Sequence, residues 1–301
     1  MADIALSAAI RSNLLALQTT QSLVDRTQGR LSTGLSVNSA TDDAVKFFQA
    51  KSLSDRATDL LERKSAIDQG VQALETALRA AESIENLTKQ IKGIVDASRS
   101  SSASQRAEYT SQITELATQI EKLVNDASYQ GLNLLNASTA QLNVRFSEKS
   151  DSKLTVNGVN FQVSGYFFNS ANAIASAATF ADVITSIGFT QDLSVYNLSD
   201  GDDLATFNLA ADAALESLDF TIANLRAKSA NIANNVAILQ VRSEFTQEYT
   251  DVLETGAGLL TLADLNEEGA NLLALQTRQS LGIQALSFAG QAEQSVLGLF
   301  R

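Results

Sequence analysis

One long helical segment gives way to another within the stretch Arg30-Leu-Ser-Thr-Gly-Leu-Ser-Val-Asn-Ser-Ala-Thr-Asp-Asp-Ala44. Gly34 suits the left-handed position that ends a helix, because glycine has no Cβ to clash there. Ser39 or Thr41 is expected to cap the next helix, and the pair Asp42-Asp43 places negative charge in its first turn, where the helix dipole favours it. The stretch therefore predicts a helix, a short extended link and a second helix.

Apolar residues recur at the helix period on both sides of this link. The first run is Ile10, Leu14, Leu17, Gln21, Val24, Gln28 and Leu31, in alternating steps of four and three. Comparable runs cover residues 67–95, 109–127 and 215–239, and a further run is Phe245, Tyr249, Val252, Gly256 and Leu259. Such seams are typical of coiled coils.

The composition of the 301-residue chain favours long helices. It contains no Pro, whereas average usage would supply roughly 15 in a chain of this length. A single helix from Thr41 to about Ser98 would be about 85 Å long, whereas a compact globule of this size is about 50 Å across. We therefore predict a mainly α, elongated rod of coiled-coil-like helices formed by paired N- and C-terminal segments.

Absent residue types and charge limit the possible functions. The chain has no His and no Cys, which excludes Ser-His relays, thiol nucleophiles and thiolate zinc sites within this chain alone. We predict no enzyme activity, no cofactor and no metal site. The net charge of -12 and the lack of a basic run argue against nucleic acid. The N-terminus lacks the pattern of a Sec signal and no long apolar stretch is present, so no membrane association is expected.

The middle of the chain, about 140–203, changes pattern and predicts a small α+β insert. Lys153–Val156 and Val159–Val163 flank Asn157-Gly158, the dipeptide that favours a two-residue type I′ turn, so these runs predict a β-hairpin. A neighbouring strand and a short helix are predicted at Leu142–Phe146 and Ala171–Ile187.

The two ends of the chain resemble each other. The segments Asn13–Leu23 and Asn271–Leu281 match at ten of eleven positions, and only Thr20 and Arg278 differ. Two helices of one bundle that drifted into similar composition would be the simpler explanation. The alternative is that both segments enter the same environment, adjacent to each other.

Charge density indicates what that environment is. Residues 269–301 carry three charged side chains and residues 1–36 carry five, whereas residues 42–130 carry 25. The polar positions at the ends are mostly Gln, Asn, Ser and Thr, which can be buried with hydrogen bonds at less cost than charges. We predict that both ends are disordered in the free subunit and become helical when many copies pack together.

Three motifs carry a resemblance to a known family. They are the stretch from Arg30 to Ala44, Gln130-Gly-Leu-Asn-Leu-Leu135, and Ala289-Gly-Gln-Ala-Glu-Gln-Ser-Val-Leu-Gly-Leu-Phe300. With the long helix after the first motif, they resemble bacterial flagellin over roughly residues 1–136 and 215–301. The resemblance implies a structural subunit that polymerises into the helical tubular filament of the bacterial flagellum and acts as a passive propeller.

The resemblance also implies a domain plan. Residues 1–36 and 265–301 would form the inner tube, 37–138 and 212–264 the outer tube, and 139–211 a variable surface insert. The residues it places in the inner-tube polymerisation site are Leu14, Leu17, Leu23, Leu272, Leu275, Leu281, Val296, Leu297, Leu299 and Phe300. The residues it places in the helix–linker–helix motif are Arg30, Leu31, Gly34, Asn38, Asp42 and Asp43.

The implied partners are other copies of the chain, with or without sister flagellins, the filament cap and hook-junction proteins, an export chaperone and the flagellar type III export apparatus. The implied location is the extracellular filament. A hook–filament junction protein shares flagellin-like ends and is the closest alternative. An enzyme built on Ser150–Lys153 or a cation loop at Ser199–Asp203 is less well supported, because surface turns explain both patterns. A membrane-surface helix would need a cationic face, which this acidic chain lacks.

Overall fold

The computed structural model describes residues 8–147, 150–161, 184, 187, 189 and 192–299. The chain divides into two compact units. The terminal unit comprises the described residues up to Thr58 and from Tyr249 onward, and the central unit is Asp59–Glu248. Within the described ranges, no helix combines the length and the apolar character needed to cross a membrane.

Long helices make up most of the described chain. They are α1 (Ala8–Thr33), α2 (Ala44–Ser98), α3 (Ala103–Asp126), α4 (Gly201–Thr261) and α5 (Leu265–Leu299). The 55 residues of α2 form one helix, which confirms the predicted uninterrupted segment up to Ser98. No proline removes a backbone donor from these helices. The mainly α class is confirmed.

The core of the central unit lies between α2, α3 and α4. Its fully buried side chains follow the predicted helix-period spacing, and they include Ile84, Ile91 and Val95 on α2, Ile113, Ile120 and Val124 on α3, and Leu218, Leu225 and Leu239 on α4. The seams predicted over residues 67–95, 109–127 and 215–239 are therefore confirmed as the buried faces of these helices.

The seam predicted over residues 245–259 is wrong. The exposed side chains of this stretch are Phe245, Val252 and Leu259, and the buried ones are Thr246, Thr250 and Leu253. Threonine can enter such a seam because its hydroxyl bonds the carbonyl one turn back, as Thr246 does to Arg242 at 2.7 Å. The large apolar residues of this part of α4 consequently remain at the surface.

The turn between α2 and α3 is held by a capping box. The Ser102 side chain accepts a hydrogen bond from the Gln105 backbone N–H at 3.4 Å, and the Gln105 side chain accepts one from the Ser102 N–H at 3.0 Å. Two donors at the start of α3 are thereby satisfied by nearby side chains.

Arg106, in the first turn of α3, is the largest fully buried side chain among the described residues. Its guanidinium donates to the backbone carbonyls of Ser101 at 2.6 Å, Leu193 at 2.8 Å and Tyr196. It also lies 5.6 Å from the centroid of the Phe207 ring on α4. Arg106 therefore joins the α2–α3 turn, α3, α4 and the segment that leads into α4.

After α3 the chain makes a tight turn between two short strands, β1 (Ser128–Tyr129) and β2 (Leu132–Asn133). Gln130 and Gly131 adopt positive φ values of 50° and 84° at the turn. The Asn133 amide then donates to the carbonyl of Val124 at 2.7 Å and accepts from the Leu135 N–H at 2.8 Å. The motif Gln130–Leu135 is thus a turn whose asparagine closes the end of α3.

The β-hairpin predicted between Lys153–Val156 and Val159–Val163 is wrong, and Lys153–Val156 pairs instead with the strand predicted beside it. Strand β3 (Gln141–Arg145) pairs antiparallel with β4 (Lys153–Asn157), so the turn lies between them rather than at Asn157-Gly158. The Gly158 N–H donates to the Ala140 carbonyl at 2.7 Å, and the segment after it bonds the backbone of Leu134 and Leu135. These bonds lead the chain away from β4, whereas a type I′ turn would have reversed it to pair with β4. The helix predicted over Ala171–Ile187 lies almost entirely outside the described residues.

Candidate assembly interface

The link after α1 pairs with the link before α5. Gly34 has φ of 71° and its N–H donates to the Arg30 carbonyl at 2.8 Å, which confirms the predicted helix end. The Ser36 N–H then donates to the Thr261 carbonyl at 2.7 Å, and the Ala263 N–H donates to the Gly34 carbonyl at 2.9 Å. The two links therefore hold each other through backbone bonds that require no particular side chains.

Asp43, and not Ser39 or Thr41, caps α2. Its carboxylate accepts from the N–H groups of Val45 at 3.0 Å and Lys46 at 3.1 Å, as an N-cap does. Ser39 is drawn into a turn instead, because its N–H and hydroxyl both donate to Asp42 at 3.0 Å.

Asp42 organises the other side of the link. Hydrogen bonds from the backbone and hydroxyl of Ser39, and from the Asn38 N–H, hold the pKa of Asp42 below its usual value. The link is therefore organised around an ionised Asp42 and a capping Asp43, with Val37 buried beneath it.

The two similar end segments lie side by side and antiparallel. The Gln279 side-chain N–H donates to the Gln21 side-chain oxygen at 2.6 Å, and these two residues occupy equivalent positions of the repeat. On one side of this bond, Arg30 pairs with Glu268 at 2.7 Å. On the other side, a Cβ added to Gly282 would lie 3.1 Å from the Leu17 side chain. The repeat consequently packs against itself around a local two-fold axis at the glutamine pair.

The ion pair between Arg30 and Glu268 closes one end of this helix pair. The Glu268 side chain is only 10% exposed, and the guanidinium of Arg30 is its ion-pair partner. Asp264 caps α5 by accepting from the Asn266 N–H at 2.9 Å. Sequence reasoning missed Glu268 and Asp264, although the spacing from Asp264 to Glu267 is that of a helix start.

The buried face of α1 differs from the predicted seam. Ile10 and Val24 are buried as predicted, but Thr20 and Thr27 are buried where Gln21 and Gln28 were expected. Steps of seven are compatible with either alternation of three and four, and the neighbouring helix selects between them. The Thr20 hydroxyl donates to the Ala16 carbonyl at 2.8 Å, which removes the cost of burying it.

Helix α5 is apolar on two opposite faces. The face toward α1 carries the half-buried residues Leu272, Leu275, Gly282, Leu286 and Ala289. The opposite face carries Leu273, Leu281 and Phe288, which are 68%, 60% and 70% exposed. At 100° per residue these three side chains lie within one quarter of the helix circumference. A helix that is apolar all round is normally buried on all sides.

The predicted polymerisation residues divide between these faces. Leu17, Leu23, Leu272 and Leu275 are half-buried, whereas Leu14 and Leu281 are exposed. The side chains of Val296, Leu297 and Leu299, and the whole of Phe300, lie outside the described residues.

Exposed apolar side chains are concentrated in the terminal unit. Of the 20 large hydrophobic residues that are exposed in the described chain, twelve belong to this unit, which is the smaller of the two. On α2 they include Val45 and Phe48, and on α4 Val252 and Leu259. Monomeric proteins seldom expose so much apolar surface in one region, so the terminal unit is the candidate assembly interface.

Comparison with solved structures defines the class of fold. The chain superposes with a TM-score of 0.51 on a structure described as a flagellar hook-associated protein from Vibrio parahaemolyticus. The match covers 73% of this chain and 99% of that chain at 15% identity, so it shows a shared fold alone. Over the part that the match covers, the chain therefore shares the fold of that hook-associated structure.

Sequence comparison finds similarity to bacterial flagellins. Residues 5–140 match the bacterial flagellin N-terminal helical region. The chain is 28% identical to a flagellin of Brucella melitensis over 100% of both chains, and 29% identical to flagellin FljK of Caulobacter vibrioides over 96% of both. The chain is therefore similar to bacterial flagellins over its length, and its N-terminal part is similar to their N-terminal helical region.

Proposed function

We propose that this chain is a subunit of a flagellar filament and that the paired helices α1 and α5 form its polymerisation site. The observation that carries the proposal is the second apolar face of α5, formed by Leu273, Leu281 and Phe288, which α1 does not cover. In a filament these side chains pack against other copies of the chain, as the inner tube of the domain plan requires. The tail residues Val296, Leu297, Leu299 and Phe300 extend the same site.

The polarity of this surface suits an interface formed by many copies. Arg278 is the only charged residue between Gly269 and Ala292, and the remaining polar positions are Asn, Gln, Ser and Thr. Burying these neutral groups between copies costs less than burying charges, provided that they find hydrogen-bond partners. The Gln21–Gln279 bond supports this, because it shows glutamines of the repeat bonding each other.

We further propose that the rigid pairing of α1 and α5 belongs to the assembled state. In the free subunit the outer face of α5 would be in water, and its apolar side chains would gain little from helix formation. Hydrogen exchange tests this proposal on the monomer and on the filament. We expect fast exchange at residues 14–23 and 271–281 in the monomer and slow exchange in the filament. Slow exchange of these amides in an isolated monomer would contradict it.

Substitution of the outer face tests the site itself. Leu281→Glu places a charge at a position that assembly would bury, so we expect salt-induced filament formation to be lost while α2–α4 keep their helical signal. The matched control is Leu209→Glu, because Leu209 on α4 is 72% exposed but belongs to the central unit. Electron microscopy and sedimentation report assembly. Normal filaments from the Leu281 variant would refute the site.

The same reading extends to the route and place of assembly. We infer that the chain leaves the cell unfolded through the flagellar export apparatus with the help of a chaperone, and folds at the filament tip in contact with the cap protein. Its extracellular polymer, with or without sister flagellins, acts as a passive propeller joined to hook-junction proteins.

A hook–filament junction role is the alternative. The chain shares its fold with a hook-associated structure, which is the observation in favour of this alternative, and that likeness concerns the fold alone. Long filaments grown from the purified chain would support the filament role, whereas growth that stops at a short ring would support the junction role.

A further inference from the structure

Three ion pairs connect α2 and α4 at regular intervals. They are Glu85 with Arg226 at 2.7 Å, Lys92 with Asp219, and Arg99 with Asp212 at 2.5 Å. The partners are seven residues apart along each segment, with Arg99 in the turn directly after α2, and the order on α4 is reversed because the helices are antiparallel. We call these six residues the charge ladder.

The signs of the charge ladder are mixed along each helix. From Glu85 onward, α2 carries negative, positive and positive charges, and from Asp212 onward, α4 carries negative, negative and positive charges. Its side chains are partly exposed, and such pairs add little to stability. The ion pairs can therefore contribute more to the choice of alignment between α2 and α4 than to stability.

The heptad spacing of the apolar seam between the helices would by itself allow more than one pairing. On α4, Leu218, Leu225, Ile232 and Leu239 repeat every seven residues, and on α2, Ile84 and Ile91 do the same. If α4 shifts by seven residues along α2, apolar side chains again meet apolar side chains. A shift of this size is about 10.5 Å.

We infer that the charge ladder selects the register of α4 on α2. A shift of seven residues in one direction places Lys92 opposite Arg226, and a shift in the other direction places Glu85 opposite Asp219. Either shift creates a like-charge pair and leaves only one opposite pair, whereas the observed register has three. Charged positions beside an apolar seam set partner and orientation in coiled coils in this way.

This role is independent of the proposed polymerisation site, because the whole ladder lies in the central unit. Selection of the register by charge is useful where the chain itself does little to fix the position of one helix on another. The segment between α3 and α4 is long, so chain connectivity constrains the position of α4 weakly.

A charge swap separates register from pair strength. In the double variant Glu85→Lys with Arg226→Glu, α2 becomes uniformly positive and α4 uniformly negative along the ladder. All three opposite pairs persist in the observed register, but a shift of seven in either direction now keeps two opposite pairs and creates no like pair. The variant therefore removes the discrimination and keeps the pairing.

The middle pair supplies the matched control. In Lys92→Asp with Asp219→Lys, three opposite pairs persist and each helix keeps mixed signs, so either shift still creates one like-charge pair. Both variants alter the same number of charges, and each places two like charges four residues apart on α2.

Pulsed electron paramagnetic resonance measures the register directly. The chain has no native Cys, so spin labels on Ser83→Cys and Lys228→Cys report one distance between α2 and α4. After refolding from denaturant, we expect the chain with its native ladder and the control variant each to give a single distance. The double variant Glu85→Lys with Arg226→Glu, which we call the uniform ladder, should add a second distance from helices displaced by about 10.5 Å.

Either of two results would overturn the inference. One is a single unshifted distance in the uniform ladder, and the other is a second distance of equal population in the control. A reciprocal uniform ladder guards against a variant that fails to fold. It carries Lys92→Glu and Arg99→Glu on α2 with Asp212→Arg and Asp219→Arg on α4, and it must show the same second distance.

Discussion

Replacement of Arg106 by methionine should destabilise the central unit strongly. The substitution keeps most of the side-chain volume and the contact with Phe207, but removes every donor of the guanidinium. Arg106 is 2% exposed and donates to three backbone carbonyls, of Ser101, Leu193 and Tyr196. The perturbation therefore leaves three acceptors without their donors, and two of these bonds, to Leu193 and Tyr196, are buried.

The expected loss follows from these bonds. A hydrogen bond that involves a charged group contributes about 1.5–3 kcal/mol, so three of them set an upper limit of roughly 5–9 kcal/mol. Part of this is offset, because burial disfavours the charged guanidinium and lowers the pKa of Arg106. We expect a net decrease of about 3–5 kcal/mol in the free energy of unfolding, as for other broken buried polar networks.

Urea unfolding followed by far-ultraviolet circular dichroism measures this loss. With a denaturant slope of about 3 kcal/mol per M, the midpoint should fall by about 1 M or more. Arg106→Lys keeps the charge and one donor direction, so its decrease should be smaller. Hydrogen exchange should accelerate first around Leu193 and Tyr196, which lose their anchor.

The control is Arg145→Met, which removes an exposed guanidinium from β3 and should change stability by less than about 0.5 kcal/mol. A decrease below about 1 kcal/mol for Arg106→Met would refute the reasoning, because the buried carbonyls of Leu193 and Tyr196 would each lose a donor.

Three further perturbations test other parts of the structure. Gly70→Ala should cost about 1–3 kcal/mol by urea unfolding, because its Cβ would lie 2.7 Å from Val144, whereas Gly93→Ala, with open space, should stabilise α2 by about 0.5–1 kcal/mol; equal effects would contradict the packing. Asp43→Ala should cost about 1 kcal/mol through the lost cap, and an unchanged midpoint would show that the cap is dispensable. Hydrogen bonds from Arg226 and Lys89 lower the pKa of Glu85, so the stability that Glu85 contributes is present above its ordinary pKa near 4.5 and is lost as pH falls through the lower folded value. The difference in unfolding free energy between the wild-type chain and Glu85→Gln should therefore shrink in acid. A difference that grows in acid would refute this assignment.

The local features of this protein follow from short stretches of sequence. A chain without proline and with apolar residues at helix spacing forms long helices, because each residue adds a backbone bond and a share of the buried face. Gly34 ends α1 through its own backbone conformation, and Ser102 with Gln105 caps α3 through hydrogen bonds between residues only three apart. The heptad seams of the central unit also follow, since α2, α3 and α4 each bury the face that their own apolar residues mark.

Features that depend on a distant partner do not follow from local sequence. A run of seven-residue steps on α1 is compatible with the burial of either of two neighbouring helix faces. Packing against α5 buries the face with Thr20 and Thr27 and leaves the adjacent glutamines exposed. The Asn157-Gly158 dipeptide favours a hairpin turn in isolation, but hydrogen bonds to residues some 20 positions earlier outweigh that preference.

The same holds for the charged groups. A solitary arginine in sequence gives no sign that three carbonyls surround it, because two of them, from Leu193 and Tyr196, come from a segment nearly 90 residues away. The register of α4 on α2 likewise depends on pairs more than 100 residues apart. Backbone propensity acts over a few residues, whereas burial and charge pairing act between whatever surfaces the folded chain brings together, and this difference in range separates the two kinds of feature.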